Sequence, residues 1–132
     1  YVRREWKCGD CLELELDMSI HFWESIPRVI DTSGRIAVTR GPLVFCAEGI
    51  DNENLPLRDV RIKPMQEGKI CFRQMEGTTL PVLELDAEAR EEEEDLYVKP
   101  GKPLRNVKLH LIPYFAWANR EVTSMNTWFL KD

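Results

Sequence analysis

The chain has 132 residues, with 18 Lys and Arg against 23 Asp and Glu and a formal net charge of -5. That length suits one domain with its own core, and without a basic cluster to face a phosphate backbone, nucleic acid is not an expected partner. The longest apolar runs, Leu43 to Ala47 and Tyr114 to Ala118, fall far short of the roughly 20 residues of a membrane helix, so no bilayer-spanning helix is expected.

Tyr1–Lys7 and Cys11–Trp23 flank a predicted Gly9–Asp10 turn. In the second segment Leu12, Leu14, Leu16, Met18, Ile20 and Phe22 alternate with Glu13, Glu15, Asp17, Ser19, His21 and Trp23, which predicts a strand with one wet and one buried face. No apolar h-region follows YVRREWK, so a secretory leader is not expected there, and the compartment is left open. Ser25–Gly34 holds Pro27 and a run of turn formers, with Arg28, Val29 and Ile30 short and extended between them.

Gly34 to Asp51 is the stretch around which the remainder is organised. Ile36 and Val38 alternate with Arg35, Ala37 and Thr39, Arg40-Gly41-Pro42 interrupts, and Leu43-Val44-Phe45-Cys46-Ala47 follows. Two strands joined by a fixed corner are expected, since Pro42 cannot donate to a ladder and Gly41 adopts backbone angles closed to other residues. Gly49–Pro56 reads as a polar surface loop, and Asp51-Asn52-Glu53-Asn54 lacks the spacing of a calcium loop.

Val60 and Ile62, Ile70 and Phe72, and Leu83 and Leu85 each alternate with polar or charged neighbours, with Pro64, Gly68, Gly77 and Pro81 as punctuation; three short strands are expected. Ala87–Asp95, AEAREEEED, has helix-forming composition but no apolar stripe. A solvated loop or a single frayed turn is expected there, with cation binding by the Glu91–Asp95 run as the sharper alternative. Lys99–Pro103 is a further turn, Val107, Leu109 and Leu111 mark a strand ending at Pro113, and Met125–Leu130 closes the chain as a last strand carrying Trp128. Eight to ten short strands with little or no helix predict an all-β fold. The expected form is one antiparallel β-sandwich over residues 1–132, jelly-roll-like.

The cysteines are Cys8, Cys11, Cys46 and Cys71. Cys8-Gly-Asp-Cys11 lacks the second close pair of a structural zinc site and the strand-to-helix setting of a redox motif, so no metal is assigned. Buried or turn-flanking thiols are the favoured reading, with a disulfide across the hairpin left open. His21 and His110 fall on the polar phase of their strands without an orienting partner, and the carboxylates Glu48, Asp51, Glu84 and Glu121 are not a site by abundance; no catalytic residue is assigned. Tyr114-Phe-Ala-Trp-Ala-Asn-Arg120 admits two readings. Trp117, Asn119 and Arg120 could bind carbohydrate by stacking and hydrogen bonding, or Tyr114 and Trp117 could anchor a corner while Arg120 pairs Glu121 or the acidic run.

RGPLVFCAEGIDN, the early WKCGD and the late LIPYFAWANRE with MNTWF together resemble the region after the catalytic barrel in glycoside hydrolase family 127, the β-L-arabinofuranosidase family. The resemblance implies a non-catalytic C-terminal β-sandwich domain that supports an (α/α)6 catalytic barrel, with dimer contacts as a second role and Tyr1–Ser33 completing a neighbouring sandwich. It also implies that zinc, with a cysteine nucleophile and glutamate and cysteine ligands, belongs to that barrel. This sequence has no adjacent cysteine pair, so none of those positions carries over and no cofactor is expected here. A carbohydrate-binding module using Tyr114–Arg120 is the alternative.

Overall fold

Leu83, Leu85, Ala87 and Ala89 point one way along the longest strand and Leu109 and Leu111 point the same way from its neighbour, all buried within a single cluster. This alternation is the sequence pattern turned into architecture: one face of each strand makes the core, the other carries charge. The computed structural model describes residues 1–75, 77–91, 97, 99 and 101–132. The strands are β1 (Ile20–Glu24), β2 (Arg35–Arg40), β3 (Leu43–Glu48), β4 (Arg61–Ile62), β5 (Lys69–Met75), β6 (Thr78–Ala89), β7 (Arg105–Pro113), β8 (Met125–Asn126) and β9 (Phe129–Lys131). Among the described residues the helical pieces are three single 3-10 turns, Ile30–Thr32, Gly49–Asp51 and Tyr114–Ala116.

The expected all-β class is what the chain adopts. The pairing, however, closes a ring rather than leaving two separate facing sheets: β2 pairs β9, β9 pairs β4 in parallel, β4 pairs β6, β6 pairs β7, β7 pairs β3 and β3 returns to β2. Closure satisfies strand edges that a sandwich leaves open. β1 lies beside β2, β5 beside β6 and β8 beside β3. Phe45, Phe129, Ile36, Val38, Val60 and Ile62 fill the ring together with the β6 and β7 leucines. A second, smaller core of Cys46, Met75, Leu80, Val82, Ile112 and Ala116 forms on the opposite phase of β3, β6 and β7.

The corner at Gly41 forms as expected, with φ +55° at the glycine. Several local expectations are corrected. The turn near the N-terminus is centred on Cys8 and Gly9, closed by the Asp10 amide donating to Lys7 O at 3.0 Å. Residues 11–19 form no strand, and Leu12, Leu14, Leu16 and Met18 are exposed. Their period-two pattern has no ladder partner here, and a strand cannot bury one face alone. Ile30 begins a 3-10 turn instead of ending an extended piece. Pro81 sits inside β6, opposite Phe72 of β5 and beyond the β6–β7 register, which starts at Leu83, so its missing N–H costs that ladder nothing. Ala87–Ala89 finish β6 as strand in place of the expected solvated loop or frayed turn, while residues 92–95 of the acidic run lie outside the described residues. The predicted last strand is split into β8 and β9 at Thr127 and Trp128, where the Asn126 side-chain amide donates to Leu57 O and Trp128 O.

Candidate functional site

At the end of β3 the apolar run delivers Glu48 into the interior, 1 % exposed. The chain then turns tightly through Gly49, whose amide donates to Ser124 O at 2.9 Å; a Cβ there would lie 2.7 Å from Ser124 Oγ. This turn aims Asp51 at the same region as Glu48. Asn52, buried at 2 %, stands in for a strand neighbour: Nδ2 donates to Glu48 O and His110 O, and Oδ1 accepts from the His110 amide at 2.8 Å. A buried amide with its hydrogen bonds met fixes position rather than offering chemistry.

From the other side comes the loop after the Tyr114–Ala116 turn. Ala118 holds a left-handed φ of +60°, and its amide donates to Glu48 Oε1 at 2.8 Å. Two residues on, Arg120 inserts its guanidinium between the two acids. Nη1 donates to Asp51 Oδ1 at 2.9 Å, Nη2 donates to Asp51 Oδ2 at 2.5 Å, and Nη2 also reaches Glu48 Oε2. Arg73 of β5 adds a donor to Asp51 Oδ1 at 3.1 Å. A fork on a carboxylate is the strong form of ion pairing. The Asp51 hydrogen bonds, followed by those of Glu48, hold the Arg120 pKa above its ordinary value against the opposing pull of burial. Next to the cluster, burial first and then the charges of Glu48 and Asp51 push the Cys46 thiol up to about 12, so it stays a neutral core side chain.

Beside this node lies a cleft of about 220 Å³. Met75, Leu80 and Ala116 form its apolar floor, Thr78 and Phe115 its rim, and Asn119 and Arg120 its polar end. Arg120 Nε is buried without a hydrogen-bond partner among the described residues.

A match to known families settles where this arrangement belongs: residues 20–130 fit the family described as the glycoside hydrolase family 127 C-terminal domain. The chain is a member of that family. The family-127 domain here is 37 % identical over 129 residues to a non-reducing end β-L-arabinofuranosidase of Bifidobacterium longum subsp. longum, covering 89 % of this chain and 19 % of that protein. A solved GH127 β-arabinofuranosidase matches at 32 % identity with a TM-score of 0.73 over 88 % of this chain and 18 % of its own. A GH127 β-L-arabinofuranosidase from Geobacillus stearothermophilus T6, at 24 % identity and a TM-score of 0.77 over 87 % of this chain and 18 % of its own, shares the fold. The domain thus spans about a fifth of these relatives' length, and it is an accessory domain of a glycoside hydrolase family.

Of the residues expected to bind sugar, Asn119 and Arg120 line the cleft of the family-127 domain and Trp117 does not. Trp117 pairs with Tyr114, ring centroids 6.3 Å apart and tilted by 42°, and the Asn119 amide donates to Ala116 O at 3.2 Å. Arg120 takes Glu48 and Asp51 in place of the expected Glu121 or acidic run. Glu84 lies instead in a ladder on β6 and β7 with Lys108 at 3.7 Å and His110 at 3.5 Å, while His21 on β1 faces Asp17 at 3.6 Å. Among the described residues no group of three or more His, Cys, Asp or Glu side chains converges to hold a metal ion. Cys8, Cys11 and Cys71 are exposed free thiols and Cys46 is a buried one.

Proposed function

We propose that this accessory domain is non-catalytic and acts as a rigid support for the (α/α)6 catalytic barrel of an intact family-127 protein whose activity is that of a β-L-arabinofuranosidase. The observation that carries the reading is the Glu48–Asp51–Arg120 node: its charged groups are consumed in tying the end of β3 and the turn after it to the Arg120 loop, which leaves no free acid–base pair within the node. Zinc in this reading belongs to the barrel, as the family resemblance implies, while Cys46 packs as a core side chain beside Ile112 and Val82. Tyr1–Ser19, with its apolar phase exposed, completes a neighbouring sandwich; Ile20–Glu24 is already engaged by β2. The ring itself is read as two opposed layers, β1–β2–β3 and β5–β6–β7, joined by the short β3–β7 seam and by β9 against β4. Dimer contacts are a second role of the same surface.

The purified 132-residue chain is expected to show no turnover of aryl β-L-arabinofuranosides. Hydrolysis that persists through chelation and in Cys46→Ala would overturn the reading. The exposed ring of Phe115 beside Asn119 favours one alternative, a carbohydrate-binding module. Under it, arabino-oligosaccharides quench the fluorescence of half-exposed Trp117; an unchanged spectrum at saturating sugar counts against it.

A further inference from the structure

We draw no further inference here: the strongest candidate, the surface patch on β1 and β2 where the exposed Trp23 ring lies beside His21 and donates from Nε1 to Thr39 Oγ1 at 2.8 Å, is an unpartnered sheet face, and nothing in the structure shows what covers it.

Discussion

The Glu48 and Asp51 side chains are 1 % and 6 % exposed, and removing the Arg120 side chain leaves them with Arg73, itself 43 % exposed, as the surviving cation. Breaking a buried pair strands charge out of water, so Arg120→Ala is expected to cost about 3–5 kcal/mol in urea unfolding, with Arg120→Lys between it and the parent because charge is kept and the fork is lost. An Arg120→Ala chain as stable as the parent would show the node to be ornamental. Cys46 gives the pH counterpart. Its thiol ionises near 9.0 when unfolded and at about 12 when folded, so the folded state holds the proton more tightly. That contribution to stability is complete below pH 9 and falls by about 1.4 kcal/mol per pH unit as pH rises toward 12. Cys46→Ala should flatten this alkaline decline; an unchanged slope would assign it elsewhere. Sequence alone could not place this cluster, because Arg120 stands 72 residues from Glu48 and 69 from Asp51. The readable signal was an acid continuing an apolar strand at Glu48 and a cation inside an aromatic run at Arg120. Neither tells which finds the other.

At the scale of elements, the strands of the ring were legible because each buries one face against the same core, which writes period two into Ile36 and Val38, Leu83 and Leu85, and Leu109 and Leu111. Where the pattern misled, a neighbour decides. Leu12 to Met18 alternate as cleanly as any strand, yet without a ladder partner among the described residues they stay exposed and unpaired. Ring closure was illegible for a related reason: the β4–β9 pairing is parallel and joins residues far apart in sequence through two registered pairs, and no periodicity encodes such a seam. The Gly68 approach makes the element scale testable. A Cβ there would press on Leu83 Cδ1 and lie 2.9 Å from both Ile20 Cδ1 and Leu85 Cδ2, so the chain before β5 is packed flush on the core. Gly68→Ala is expected to destabilise by about 1–3 kcal/mol through overpacking, read as a lower urea midpoint with an unchanged m-value. A neutral result would mean that this segment stands off the leucines.

For the whole molecule, the strand ring and the arm before it are separable in energy if the boundary lies at Ile20, where both β1 and the family match begin. The core cluster draws none of its members from residues 1–19, so deleting Tyr1–Ser19 is expected to shift stability by no more than about 1 kcal/mol, the scale of a surface change. A close approach of the arm at Gly41 supplies a sharper test. Gly41 turns the β2–β3 corner at φ +55°, and a Cβ added there would meet Met18 Sδ and lie 3.1 Å from Asp17 O. Gly41→Ala in the full chain therefore combines a left-handed backbone with a steric clash, whereas in the truncated chain only the backbone part is left, about 1–2 kcal/mol. A double-mutant cycle over the substitution and the deletion isolates the clash as a coupling energy, expected at about 0.5–3 kcal/mol for groups in contact. Zero coupling would place Met18 away from the corner in solution. A large loss from the deletion alone would move the arm into the ring's own fold and overturn its proposed place in a neighbouring sandwich.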